Sequence, residues 1–248
     1  MGRAKEIVLK VIPGNVANPF VRRHHYSGSI VHNSTLHFGV FLDGQLHGVM
    51  SYGSSMVKAH IIHLVAGTGW NEFLELNRMA FDNYLPRNSE SRAISQSMKL
   101  LKKYAPHIKW IVSFADACSC GDGTIYRASN FVLTGIKENE ALCLLPDGTR
   151  IHKMNLESHP TSPRPELGGR SFFDVTDGKF SWKKYIEAAG AVLIPGYQLR
   201  YMYFIDKSKQ KDLTVPIIPF SKIDELGAGM YKGERVSVAA RHIPKEAT

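Results

Sequence analysis

Arg78, Ser91, Asp116 and Tyr126 have side chains suited to chemistry; Arg78 sits within a strand, and the others fall where a strand runs out or a helix begins. Asp116 directly follows an apolar run, so its carboxylate either accepts a proton from a ligand or holds the amides of the next loop, two readings of equal weight. Tyr126 opens a short helix; its phenol can protonate a leaving group, or it can bury its ring and leave the hydroxyl at a rim. Arg78 interrupts an apolar strand, and a buried guanidinium requires Glu75, Asp116 or an anionic ligand as partner. Arg87-Asn88-Ser89 leads into a helix whose start offers free N–H groups and the positive end of its dipole. Asn88 and Ser89 are also ordinary N-caps, whereas Ser91, one step inside, is freer to meet a ligand. A third cluster is Arg22-Arg23-His24-His25-Tyr26. Neighbours on a helix point about 100° apart, so at most one of the two histidines shares a pocket with Tyr26. His60 and His63 have no convergent partner in the sequence.

These side chains must be positioned by strands and helices, since ligands in open α/β sheets gather beyond strand carboxyl ends near helix N-termini. The pattern predicts a strand over Glu6–Ile12, a short helix starting at Asn18-Pro19, and a hairpin of Leu36–Leu42 with His47–Tyr52 turning at Asp43-Gly44. Ser54–Trp70 reads equally as strand or buried helix. A strand over Phe73–Phe81, a helix over Ser91–Lys103, a strand over Ile108–Phe114, a short helix over Ile125–Phe131 and a strand over Val132–Ile136 follow. Leu142–Leu145 with Pro146-Asp147-Gly148 suggests a further hairpin, Glu157–Gly169 an exposed loop, Trp182–Ala189 a helix and Gln198–Ile205 a strand. This order resembles the GNAT acyltransferase fold: an α/β protein with a mixed, mostly antiparallel central sheet flanked by helices, whose splayed strands open a cofactor slot. The reading gives one domain over residues 1–206 and a basic extension over 207–248 that wraps the surface or hangs free. GNAT enzymes hold the acyl-CoA pyrophosphate at the helix start through a glycine-containing loop, and those glycines are missing from Arg87–Arg92.

The 248 residues are 44% hydrophobic and 10% aromatic, which marks a folded protein able to bury a full core. A net charge of +9 makes a polyanion a reasonable partner, although charge alone does not separate a partner from an incidental surface. Three cysteines, an odd and sparse set, speak against a disulfide framework and for a reducing cytoplasm. Cys118-Ser119-Cys120 lacks a second pair at zinc-site spacing. No apolar run approaches the ~20 residues of a membrane helix, and the N-terminus is too polar for a signal peptide.

Four segments, His25-Tyr26-Ser27-Gly28, Glu75-Leu76-Asn77-Arg78, Pro86–Arg92 and Gly123–Phe131, resemble those of the phage Mom proteins, and the resemblance spans about residues 5–205. Mom proteins are GNAT-related enzymes that turn the exocyclic amine of adenine into a carbamoylmethyl (acetamido) derivative, shielding phage DNA from host restriction. The resemblance implies a site of His25, Tyr26, Arg78, Ser91, Asp116 and Tyr126 and a carbamoylmethyl donor of unidentified chemistry held near Arg87, Asn88, Ser89 and Ser91. It also implies double-stranded DNA as partner, in the cytoplasm of a bacterial host. Adenine's amine is a poor nucleophile, so the base must be flipped from the stack; Asp116 would accept its proton, Tyr126 would serve the leaving group and Arg78 would neutralise charge. His25, Tyr26, Asp116 and Tyr126 would equally suit Fe(2+). Arg22, Arg23, Lys102 and Lys103 would grip phosphates, with help from the Lys207–Lys211 run. A homodimer stays open as the assembly. Two other readings are an acyl-CoA-dependent N-acyltransferase, with acetyl-CoA as cofactor, and a non-catalytic DNA-binding protein.

Overall fold

The computed structural model describes residues 2–242. The first strand, β1 (Val8–Val11), is shorter than expected, and Pro13 ends it by becoming the N-cap of α1 (Gly14–His24). That helix starts four residues before the expected Asn18-Pro19, and Pro19 lies inside it. Burial decides the outcome: Ala17 and Val21, one turn apart, seat on Val49 and Ala80, and this contact outweighs the hydrogen bond a proline forfeits. The hairpin of β2 (Ser34–Leu42) and β3 (Gln45–Gly53) turns at Asp43 and Gly44, both at positive φ (51° and 79°), as a two-residue primed turn requires. The ambiguous stretch after it contains a helical turn, α2 (Lys58–Ile61). Then come β4 (Phe73–Phe81), α3 (Ser89–Tyr104), β5 (Trp110–Asp116), α4 (Thr124–Ala128) and β6 (Val132–Glu138). The chain continues through β7 (Leu142–Leu144), β8 (Arg150–His152), α5 (Lys153–Glu157), α6 (Phe172–Val175), α7 (Trp182–Ala189) and β9 (Val192–Leu193) to β10 (Tyr197–Phe204) and α8 (Ser221–Glu225).

Seven strands form one sheet in the order β1-β2-β3-β4-β5-β10-β6. β4 and β5 run parallel, while the pairs β1–β2, β2–β3, β3–β4 and β5–β10 are antiparallel. This is the GNAT-like mixed sheet the element order predicts. Phe73 and Trp110 stack at 4.3 Å where β4 meets β5 and anchor a core with Val112, Met202 and Phe204. No helix among the described residues is long and apolar enough to cross a membrane.

The chain divides into two compact units, and the break falls at Lys137 and Tyr197 rather than at 206. Residues 137–197 bury a core of their own around Cys143, Leu156, Phe172 and Tyr185, with the small sheet β8-β7-β9. The expected exposed loop 157–169 is part of it: Leu167 is buried there, and Glu166 accepts a 2.7 Å bond from the Tyr185 hydroxyl. The segment holds eight basic and eight acidic residues, so the whole surplus of nine positive charges lies in the other unit. The expected basic extension belongs to that other unit. Its backbone is stitched back by Thr214 N to Leu64 O (2.9 Å) and Ile218 N to Leu133 O (2.8 Å), and Ile223 and Met230 are buried.

A clamp holds that return. Asp122, with no exposed surface, accepts from Arg127 Nη1 at 3.1 Å and from the Met230 backbone N–H at 3.1 Å. Removing the carboxylate strands a nearly buried guanidinium, so Asp122→Ala is expected to cost about 3–5 kcal/mol, read as a lowered urea midpoint. A midpoint equal to that of the parent protein would show that the clamp holds nothing.

Candidate active site

β3 and β4 fall out of step at one rung. Ser51 opposes Arg78, but the next residue, Tyr52, opposes Leu76, which leaves Asn77 as the extra residue of a bulge. β2 and β3 slip at the same height, between Ser34 and Leu36. On the other side of β4, the parallel ladder with β5 ends at Glu75 and Val112. A fork therefore opens between β4 and β5, and freed backbone groups need partners. The Leu76 carbonyl accepts from Ser113 Oγ at 3.0 Å, and the Asn77 carbonyl accepts from Arg78 Nη1 at 2.8 Å. Ser113 Oγ also bonds the Tyr126 hydroxyl at 2.7 Å, so Tyr126, at the start of α4, is fastened to the fork.

Five of the six expected site residues gather here. Arg78 is held by carbonyls, Nε reaching Ser29 O at 3.0 Å, and among the described residues no carboxylate comes within ion-pair distance of it. Its charge acts on His25, Tyr26, Glu75 and Tyr126, and Asp116 acts on Tyr26 and Cys120. Desolvation dominates this neighbourhood. It pushes the Tyr126 phenol up to about 12, raises Tyr26 and Glu75, lowers Arg78, and brings His25 down to about 4 with Arg78 contributing. His25 lies just past the end of α1, where its Nδ1 accepts from the Ser27 backbone N–H at 3.2 Å; the ring proton is then on Nε2. Tyr26, 53% exposed, lies beside it with the rings tilted by 34° and their centroids 4.4 Å apart, and stands at the mouth. Asp116 is partly committed to structure: Oδ1 accepts from Cys118 N at 3.0 Å and Gln198 Nε2 at 2.9 Å.

Ser91 belongs to a second place. A cleft of about 320 Å³ at the start of α3 is lined by Asn88, Ser91, Arg92 and Ser95 with Ser129, Asn130 and Tyr203. Asn88 enters it at φ 71°, in the left-handed region. Ser129 is 8% exposed, and neither its Oγ nor Arg92 Nε has a hydrogen-bond partner. Arg87 and Asn88 line an adjoining cavity with Lys5 and Pro86. Ser89 lines neither, because it is fully buried with its hydroxyl donating to Pro86 O at 2.6 Å.

Of the expected phosphate contacts, Arg22 and Arg23 are exposed on the last turn of α1, beside His25 and Tyr26. Lys102 and Lys103 are exposed at the far end of α3, on the order of 20 Å along the helix from the cleft. For iron the donor set fits poorly. Among the described residues no three of His, Cys, Asp and Glu come together. Glu75, Asn77, Ser113 and Ser129 are the members that sequence reasoning left outside the site. Glu75 and Asn77 were visible as polar residues within an apolar strand, whereas nothing local marks Ser113 or Ser129.

Solved structures with a similar fold include a spermidine/spermine N-acetyltransferase from Vibrio cholerae, at 9% identity and TM-score 0.42 over 85% of this chain and 99% of that one. Another is the ribosomal-protein-S18-alanine N-acetyltransferase from Escherichia coli, at 10% identity and TM-score 0.41 over 80% of this chain and 94% of that one. A curated protein, methylcarbamoylase mom of Escherichia phage Mu, is 36% identical over 214 residues, which is 86% of this chain and 82% of its own. The Mom protein family matches residues 6–222, and the chain belongs to that family.

Proposed function

We propose that the protein is a phage DNA-modifying transferase that converts the N6 amine of adenine in double-stranded DNA to its carbamoylmethyl derivative and so protects phage DNA from restriction. The observation that carries this reading is the gathering of His25, Tyr26, Arg78, Asp116 and Tyr126 around one desolvated fork in a chain of the Mom family. In this reading N6 attacks the methylene carbon of an electrophilic carbamoylmethyl donor, the bond from that carbon to the leaving group breaks, and N6 gives up a proton. Arg78, with no carboxylate at ion-pair distance among the described residues, offsets charge building on the leaving group. Tyr126, held as a neutral phenol, supplies a proton to it, and an acidic group of the fork takes the proton from N6. The cleft at the start of α3, with its unpartnered Ser129 hydroxyl and Arg92 Nε, suits the donor's polar part. No step is routed through a metal. Arg22 and Arg23 would meet the phosphates flanking the flipped base. The same cleft keeps acyl-CoA-dependent N-acylation as a second reading, which expects labelled product from acetyl-CoA and a small amine.

Expression of the chain in bacteria and mass analysis of digested nucleosides is expected to reveal deoxyadenosine bearing an added acetamide group; unmodified DNA alongside soluble, folded protein would overturn the reading. Loss of a general acid typically costs a factor of about 100 or more, so Tyr126→Phe is expected to cut modification by at least that much with DNA binding kept. Full activity in that variant would remove Tyr126 from the chemistry. His25 gives a pH prediction. Its folded pKa of about 4 lies below the ordinary 6.5, so the unfolded chain takes up this proton first and stability is full above pH 6.5, then lost as pH falls toward 4. The urea midpoint is expected to drop across that window and His25→Asn to flatten part of the drop; parallel curves for the two proteins would contradict it.

A further inference from the structure

Asn77 carries an unused hydrogen-bond donor in the most constrained part of the sheet. It is 7% exposed, its Oδ1 accepts from Ser34 Oγ at 3.0 Å, and its Nδ2 has no partner. With Ser34 Oγ donating to Oδ1, the amide is turned the other way, toward Glu75. Glu75 lies two residues earlier on β4, and along a strand such residues share a face. A hydrogen-bond contact from the Asn77 side chain favours the Glu75 carboxylate, although Nδ2 has no well-aligned partner among the described residues. Glu75 is also steadied by the buried Ser55 and lies within reach of Arg78 and Tyr126. The result is an acceptor beside a donor at the fork, the donor without a well-aligned partner among the described residues, and a buried donor left so is expensive to keep without a purpose.

We infer that Glu75 and Asn77 read the target base: the carboxylate of Glu75 accepts from the exocyclic amine of the flipped adenine, and Asn77 Nδ2 donates to the ring nitrogen next to it. This rests on the DNA-adenine reading above. Adenine presents an amine flanked by acceptor nitrogens on both sides, complementary to an acceptor beside a donor. Guanine and thymine place a carbonyl oxygen where adenine has its amine, and that oxygen would face the Glu75 carboxylate. Cytosine offers a similar edge on a smaller ring, so the size of the fork has to exclude it. Asp116, with Oδ1 already engaged by Cys118 and Gln198, is less available for this contact, which makes Glu75 the acidic group that meets the amine.

The test pairs protein and substrate changes. Parent protein is assayed on oligonucleotide duplexes whose target adenine is replaced by 1-deazaadenine or by 7-deazaadenine, each with one ring nitrogen turned into C–H. One analogue is expected to lose about ten-fold in kcat/KM, the usual size of one hydrogen bond. Asn77→Ala is expected to lose about ten-fold on adenine and nothing further on that analogue. Asn77→Asp, which keeps the size but turns the donor into an acceptor, is expected to lose at least as much as Asn77→Ala. Indifference of the parent protein to both analogues overturns the inference even if no Asn77 variant folds, as does an undiminished penalty for the analogue in Asn77→Ala. Parent protein that modifies no adenine at all refutes the function itself, a different result from modification without discrimination.

Discussion

A single extra residue in β4 sets the terms for the site. Were the β3–β4 ladder continuous, the Leu76 and Asn77 carbonyls would be spent on neighbouring strands. Because the register with β3 slips at Asn77 and the pairing with β5 ends at Glu75, both turn elsewhere: one anchors Ser113, and through it Tyr126, and the other anchors Arg78. The bulge thus converts backbone that would merely hold a sheet together into backbone that aims two side chains from distant parts of the chain. It coincides with the end of the parallel pairing to β5, so the place where β4 and β5 separate is also the place where side chains are redirected.

The second constraint is electrostatic. With Arg78 sharing its space with phenols, an imidazole and a carboxyl rather than with a matched anion, the fork favours neutral forms of its titratable groups. Two neutral phenols and a neutral imidazole, with one unneutralised cation, suit a reaction whose difficulty is a weak nucleophile and a departing anion. The cleft beside the α3 start is of another kind. It is built from a helix terminus, small hydroxyls and an asparagine at positive φ, features that favour a polar or anionic group without supplying a proton.

Elements with strong local signals were legible in the sequence. The bounds Phe73–Phe81 and Trp182–Ala189 are as the alternation and the flanking glycine predict, and the Asp43-Gly44 hairpin follows from the φ preference of its turn. His25, Tyr26, Arg78, Asp116 and Tyr126 could be named because each is polar where its surroundings are apolar or where an element ends. The bulge could not be read, since a period of two continues visibly through an inserted residue while the register beneath it changes. α1 was misplaced because Asn18-Pro19 is a good helix start by composition, and only the burial of Ala17 against the sheet shows that the helix is already under way. The separate unit of residues 137–197 was hidden by the shortness of its strands, whose common core appears only once they are folded together.

The distribution of charge has a consequence for how the molecule would behave near any polyelectrolyte. With eight positive and eight negative side chains, the inserted unit adds no net charge to the field felt at long range, which is set by the main unit. The salt dependence of the association rate would therefore follow the charge of the main unit. That leaves evolution free to rebuild the insert for shape, or for another protein's surface, without altering how fast the molecule is drawn to an anionic polymer.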